Sequence, residues 1–144
     1  MKLYKYLFAV TAVVAAFATT TITAKNKCMP KVYAFGFAAS FNDSTVYFTD
    51  IQEIDSVWIN DKTKFMLERE NYSGQLKTYL NGNGKEHRTC VISYAFKRKD
   101  IDNKYRKMRD RYVKRGGCII EHIAADDFRF QSIVPQAVED GAGK

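Results

Sequence analysis

The alternation of hydrophobic and polar positions predicts that the chain opens with a β-hairpin over residues 32–54. In residues 31–41 (KVYAFGFAASF) the period-two pattern leaves both faces apolar, which is typical of a strand that is covered on both sides. The residues of 42–44 (Asn-Asp-Ser) favour a turn, and 45–54 (TVYFTDIQEI) are again rich in strand-forming residues. The next ten residues, 55–64, are interpreted as a polar connection.

Two later segments have the period of amphipathic helices. In 65–80 one apolar stripe runs along the predicted helix, which ends at the turn residues 81–84 (Asn-Gly-Asn-Gly). The second helix, 100–115, has apolar residues at spacings of four, three and four, and Gly116-Gly117 follow it. The stripe residues are Phe65, Tyr72, Leu76, Tyr79 and Leu80 in the first helix, and Ile101, Tyr105, Met108 and Tyr112 in the second.

Short apolar runs predict further strands at 89–96 and 118–123, and a last one at 127–134 (DFRFQSIV). The resulting order is β-β-α-β-α-β, with one further β element if 127–134 forms the last strand. Strand–helix–strand units favour parallel neighbours joined by right-handed crossovers, whereas the hairpin adds an antiparallel pair. The sequence therefore predicts an α/β fold, a two-layer sandwich in which a mixed sheet carries both helices on one face.

Residues 1–24 have the pattern of a secretory signal peptide. Lys2 and Lys5 precede an uncharged apolar run, and small residues lead to a polar junction with a predicted cut after Ala24. The alternative is an uncleaved membrane anchor, because the uncharged stretch approaches the roughly 20 residues that a spanning helix needs. We expect a periplasmic or secreted protein with one α/β domain over 25–134 and a flexible tail over 135–144.

The composition excludes disordered and collagen-like proteins, because 46% of the 144 residues are hydrophobic and 14% are aromatic. The formal net charge is +7 at pH 7. This basicity is concentrated in residues 97–115, which contain ten basic and three acidic residues. Candidate polyanion-binding side chains point away from the apolar stripe; they are Lys99, Arg106, Lys107 and Lys114. The alternative is a solvated helix face crossed by i,i+4 ion pairs.

The three cysteines are few for a disulfide scaffold. In an oxidising compartment thiols tend to pair, and parallel neighbouring strands at 89–96 and 118–123 would bring Cys90 and Cys118 to the same end of the sheet. We therefore consider a Cys90–Cys118 disulfide, against the alternative of two buried free thiols. Cys28 is either a partner for one of them or a free thiol.

No spacing of residues indicates catalysis or a cofactor. The chain has two histidines, His87 and His122, and lacks His-x-x-x-His, Cys-x-x-Cys and Gly-x-Ser-x-Gly patterns. A cysteine hydrolase using Cys90 and His122 is disfavoured, because Cys90 lies inside an apolar strand. The acidic residues Asp50, Glu53 and Asp55 are better explained as a solubility device of an edge strand than as an acid–base or calcium site. We expect a non-enzyme without cofactor or metal.

One modification is predicted. Asp43-Ser44-Thr45 and Asp55-Ser56-Val57 match the Asp-Ser/Thr-apolar acceptor of O-glycosylation systems that some Gram-negative anaerobes use on exported proteins. Ser44 is the better candidate because it lies in a predicted turn.

The segments VYAFGFAASFNDSTVYFTDIQEID, ENYSGQLKTYL and RTCVISYAFKRK resemble small exported proteins of unknown function from Gram-negative anaerobes, over about residues 31–131. This resemblance implies export and a compact α/β domain, and no activity. Cys90–Ile123 is also similar in architecture to cell-wall-binding SPOR domains, although those domains do not begin with a hairpin.

The expected function is binding of a protein or an envelope polymer. Residues 1–24 or the basic helix could provide contact with a membrane. No nucleic acid is expected as a partner, because an exported protein leaves the compartment that holds nucleic acid and no nucleic-acid-binding motif is present. The alternatives are a small periplasmic hydrolase and a structural assembly subunit.

Overall fold

The computed structural model describes residues 25–136. The predicted signal peptide 1–24 and residues 137–144 of the predicted tail lie outside this range, and Pro135 is buried. The elements are β1 (Asn26–Ala39), β2 (Thr45–Thr49), β3 (Gln52–Asn60), α1 (Arg69–Gly82), β4 (Thr89–Ala95), α2 (Arg98–Arg115) and β5 (Ile119–Ile123).

The predicted N-terminal hairpin is confirmed and is longer than expected. β1 pairs antiparallel with β2 and then with β3, and the register shifts by one residue between the Phe37–Phe48 and Ala34–Gln52 pairs. This shift is a β-bulge at residues 50–51. The bulge connects β2 and β3, so that together they act as one bent strand along β1. The predicted polar connection is wrong over residues 55–60, because their buried residues alternate as in a strand that covers a core.

The sheet is mixed, as predicted, and it has five strands, because residues 52–60 form a strand of their own. One edge of β1 carries β2 and β3, and its other edge pairs antiparallel with β4. β5 pairs parallel with β2 on the far side. Among the described residues, β4 and β5 each pair with one strand, so they form opposite edges of the sheet.

The α/β sandwich is confirmed, but the two helices lie on opposite faces of the sheet rather than on one. Ala34 and Ala38 of β1 face a core with Leu76 of α1. Phe35 and Phe37 face a second core with residues of α2. The crossover from β3 to β4 and the crossover from β4 to β5 run in opposite directions across the sheet. Two crossovers of the same hand that run in opposite directions must pass over opposite faces.

The second core is an aromatic cluster around Phe48. Phe48 lies 5.0 Å from Phe37 and 5.7 Å from Tyr105, centroid to centroid, and Phe37 lies 5.0 Å from Tyr112. The predicted stripe of α2 therefore packs as expected, and Ile101 is fully buried beneath it. In α1, Tyr72, Leu76 and Leu80 of the predicted stripe are buried. Phe65 is exposed because α1 begins only at Arg69.

The predicted strand at 127–134 is wrong. The segment lies on the α1 side of the sheet without regular secondary structure after the turn at residues 125–127, and side-chain amides hold its backbone in place of a neighbouring strand. Gln52 donates to the carbonyl of Phe128 and accepts from the N–H of Phe130, both at 2.9 Å. Gln75 makes the same two kinds of bond to the backbone of Gln131. Phe128 and Phe130 are thereby buried in the α1-side core.

Candidate functional site

A groove follows the outer edge of β4, and we refer to it as the β4 groove. It has two sections that share Arg69. The first lies between α1 and the start of β4; the second lies between the end of β4 and α2. The first is lined by Arg69, Glu70, Ser73, Gly74, Lys77 and Arg88–Val91, and the second by Thr63–Phe65, Arg69, Ser93–Phe96, Asp100, Asn103, Lys104 and Lys107.

Basic side chains cap the open edge of β4. Arg69 Nη2 donates to the carbonyl of Ile92 at 3.3 Å, and Lys104 Nζ donates to the carbonyl of Tyr94 at 2.8 Å. Both cations also lie within 6 Å of the centre of the Tyr94 ring, at 5.9 and 5.7 Å. Charged caps of this kind oppose the addition of a further strand, and they place positive charge along the edge.

Arg88 forms the inner end of the first section and is buried. Its guanidinium donates to the Asp43 carboxylate at 2.6 Å and to the carbonyl of Thr45 at 2.9 Å. The group also lies 4.7 Å from the centre of the Tyr47 ring. The Arg88 Nε has no hydrogen-bond partner among the described residues. This ion pair fixes the turn between β1 and β2 and lowers the pKa of Asp43.

The groove has an excess of positive charge. Its lining contains six basic residues, Lys64, Arg69, Lys77, Arg88, Lys104 and Lys107, and two acidic residues, Glu70 and Asp100. A concave surface with one predominant sign of charge concentrates ligands of the opposite sign. The arrangement therefore suits an anion.

One of the four predicted polyanion-binding residues, Lys107, lines the groove. Lys99, Arg106 and Lys114 are exposed on α2 and do not line it. The sequence did not predict Arg69 and Lys77 as groove residues. They line the groove because α1 lies beside the unpaired edge of β4, and the spacing of residues along the chain does not show that α1 and β4 are neighbours.

The expected Cys90–Cys118 pairing assumed that the strands carrying the two cysteines are neighbours, and that assumption is wrong. Cys90 lies in β4 and Cys118 directly precedes β5, so β1 and β2 stand between them. Three inter-strand spacings amount to about 14 Å, whereas a disulfide joins Cα atoms up to about 7 Å apart. Cys28, Cys90 and Cys118 are all free thiols. Burial raises the pKa of the Cys90 thiol, although Lys77 and Arg88 oppose that shift.

A second arrangement joins an acid to a histidine. Asp50 lies in the β-bulge, where one carboxylate oxygen contacts His122 Nε2 and the other accepts the N–H of Ala125 at 2.9 Å. The Ala125 N–H, and then the His122 ring, lower the pKa of Asp50 against the opposing effect of partial burial. Asp50 therefore orients His122, which lies in β5, far from Cys90 in β4. A cysteine–histidine pair is not formed.

The hollow beside Asp50 is lined by Ile51, Arg98, Tyr105 and Ala125. The neighbouring Thr49 hydroxyl is occupied, because it accepts the Gly36 N–H at 2.8 Å and donates to the carbonyl of Asp50 at 2.9 Å. Of the other predicted acids, Glu53 pairs with Lys31 across the strands at 3.3 Å. The acids therefore do not converge on one site.

The glycosylation candidate Ser44 is exposed in the turn between β1 and β2. Its backbone carbonyl accepts the N–H of Ile119 at 3.0 Å, and the preceding Asp43 is held by Arg88. The triplet is therefore presented in a fixed conformation. Its modification stays a prediction.

Comparisons with protein-family models, with curated proteins and with solved structures give no match to this chain. Within residues 25–136 no group of three His, Cys, Asp or Glu side chains converges to hold a metal ion. None of the helices in this same range is both long enough and apolar enough to cross a membrane.

Proposed function

We propose that this protein is an exported, non-enzymatic binding domain for an anionic polymer of the cell envelope, with the β4 groove as its site. The observation that carries the proposal is the excess of basic residues along the open edge of β4. Export rests on the signal-peptide pattern of residues 1–24.

The shape of the groove favours an extended ligand over a small one. Its two sections lie end to end along β4, which has seven residues and a length of about 23 Å. Arg69 belongs to both sections, so an extended ligand that follows the edge of β4 would meet this cation between them. An anionic chain would meet several cations in succession.

Recognition in this groove would depend on side chains more than on the backbone. The outward carbonyls of Ile92 and Tyr94 already accept bonds from Arg69 and Lys104. A peptide that added itself as a strand would have to displace both cations. This observation favours a charged polymer over a protein segment.

Binding of dextran sulfate, with neutral dextran of equal length as the control, tests the proposal. The variant Lys77→Gln/Lys107→Gln removes one charge from each section of the groove, and we expect it to weaken dextran sulfate binding up to about thirtyfold, because two exposed charge contacts are lost and each contributes at most about 1 kcal/mol. The matched variant Lys99→Gln/Arg106→Gln removes two charges from the outer face of α2. It should change binding little. An equal loss of dextran sulfate binding in both variants would show that the whole basic surface binds the polymer. That result would contradict the assignment of the site to the β4 groove.

A hydrolase is the second candidate, and the Asp50–His122 contact favours it. A carboxylate that orients a histidine is the arrangement by which a general base is prepared. Hydrolysis of a chromogenic ester by the purified protein, which is lost in the His122→Gln variant, would support this candidate. Equal rates for the two proteins would leave the pair as a structural contact between the bulge and residues 122–125.

A further inference from the structure

Three exposed apolar side chains lie at one end of the sheet, and we call them the tip patch: Phe41, Val113 and Ile119. Phe41 is fully exposed in the turn between β1 and β2, and Val113 and Ile119 are 55% and 57% exposed. Most of the hydrophobic side chains in this part of the chain are buried in the two cores. Exposed apolar side chains that share one end of a sheet offer apolar surface to a partner.

The strand register brings the three residues to the same end. Ile119 begins β5 opposite Thr45, and its N–H donates to Ser44, three residues after Phe41. Val113 lies in the last turn of α2, next to Tyr112, whose ring packs against Phe37 near the end of β1. The loop before β4 reaches the same end, because Thr89 pairs with Ala39.

Positive charge surrounds the tip patch. The segments that meet there, 40–44, 83–88 and 113–119, contain four basic residues, Lys85, Arg88, Lys114 and Arg115, and two acidic residues, Asp43 and Glu86. Asp43 and the buried Arg88 neutralise each other, so Lys85, Lys114 and Arg115 remain against Glu86. Lys114 and Arg115 remain exposed beside Val113.

The turn that carries Phe41 is held in place by its own side chains. The Asn42 N–H donates to Ser40 Oγ at 3.1 Å, and the Thr45 N–H donates to Asp43 Oδ1 at 3.0 Å. The Asp43–Arg88 ion pair ties this turn to the start of β4. Phe41 is therefore presented on a preorganised loop, and its insertion into a partner costs little ordering of the backbone.

We propose that the tip patch docks on the surface of an anionic lipid bilayer, with Phe41 entering the region between headgroups and acyl chains. Lys114 and Arg115 would lie at the level of the anionic headgroups. An apolar side chain beside basic residues is the combination that binds such interfaces, because apolar burial and electrostatic attraction add. A single protruding aromatic residue with exposed cations fits this surface better than a flat protein interface, whose centre is depleted of charge. The tip patch is separate from the β4 groove, because Phe41, Val113, Ile119, Lys114 and Arg115 do not line that groove.

Sedimentation with vesicles tests the proposal on the exported protein, after its intact mass has established the N-terminus. Phosphatidylcholine vesicles containing phosphatidylglycerol are compared with vesicles of phosphatidylcholine alone. We expect binding to the anionic vesicles, and Phe41→Ser should lower the partition coefficient about tenfold, since burial of one Phe side chain is lost. The Lys114→Gln/Arg115→Gln variant should lower it about thirtyfold, on anionic vesicles only, because two basic residues near the anionic surface are lost.

Two matched controls separate the tip patch from the rest of the surface. Val113→Ser should weaken binding, whereas Val134→Ser, at a site with the similar exposure of 54%, should not. Lys99→Gln/Arg106→Gln removes two charges outside the tip and should retain most of the binding. Phe41→Ser is not expected to affect folding, because Phe41 packs against neither core.

Three results would overturn the proposal. The first is no binding of the parent protein to anionic vesicles. The second is vesicle binding that Phe41→Ser leaves unchanged. Such binding would be expected if residues 1–24 were retained and bound the vesicles themselves. The third is self-association in solution that Phe41→Ser abolishes while vesicle binding is absent, which would assign the patch to a second copy of the chain.

Discussion

Leu76 of α1 occupies the space that a side chain at Gly36 would need. A Cβ atom on Gly36 would lie 2.7 Å from Leu76 Cδ2 and 3.1 Å from Phe130 Cζ. Gly36 lies in the middle of β1, and its N–H donates to the Thr49 hydroxyl. Because α1, β1 and the segment that contains Phe130 approach closely at this point, the α1-side core leaves no room for a side chain at Gly36.

Replacing Gly36 by Ala should destabilise the protein by about 1–3 kcal/mol, because the new methyl group overpacks the contact with Leu76. Urea unfolding at equilibrium measures the change. Gly74→Ala is the control: a Cβ there meets nothing within 4 Å, and the substitution in a helix interior should stabilise by about 0.5–1 kcal/mol. A Gly36→Ala variant as stable as the parent would mean that α1 and β1 lie farther apart.

Replacing Gln52 by Ala should destabilise the protein by about 2–3 kcal/mol. Gln52 is buried, and its loss leaves the carbonyl of Phe128 and the N–H of Phe130 without partners in the core. Thermal and urea unfolding measure the effect. Gln75→Ala removes an equivalent pair of bonds at a more exposed position, where water replaces them, and should cost less than about 1 kcal/mol. Equal effects of the two substitutions would contradict the clamping role of Gln52.

The free energy of unfolding should fall as the pH drops below about 4. The folded protein holds the pKa of Asp50 below its usual value of about 3.9, through the Ala125 N–H and then the His122 ring. A group with a lowered folded pKa contributes stability above its unfolded pKa and loses it as the pH falls through the folded pKa. The pKa of Asp43 is shifted in the same direction by Arg88, so it adds to this effect.

The Asp50→Asn variant isolates the share of Asp50 in this acid sensitivity. Urea unfolding at several pH values should show lower stability than the parent at neutral pH and a shallower loss below pH about 4, because the variant has no carboxylate to protonate. Parallel curves for the two proteins would show that neither the Ala125 N–H nor the His122 ring holds the Asp50 carboxylate in solution.

Alkylation under denaturing, non-reducing conditions should label three thiols in one chain. Cys90 and Cys118 lie at opposite edges of the sheet, and no two of the three cysteines are bonded. In the native state Cys90 should react most slowly, since it is half-buried and burial raises the pKa of its thiol. A mass with two thiols protected until reduction, mapped to Cys90 and Cys118, would overturn the strand order described above.

The sequence by itself determined the elements whose patterns are local. The hairpin, the α2 stripe of Ile101, Tyr105 and Tyr112, and the strand at 89–96 follow from periodicity, because side-chain direction within one element depends only on its own backbone. The same reasoning located the basic segment 97–115. It also predicted a mixed sheet, because a hairpin and strand–helix–strand units require different strand directions.

The tertiary structure alone decided which elements are neighbours. Three features depend on the strand order. Cys90 and Cys118 are far apart, and the two helices lie on opposite faces of the sheet. Along β4 the same order brings together Arg69, Lys77 and Lys107. The segment 127–134 has a strand-like sequence, but Gln52 and Gln75 satisfy its backbone in place of a neighbouring strand. The strand order results from burying both apolar faces of the sheet at once. That requirement involves the whole chain, so the hydrophobic periodicity of a single element cannot predict it.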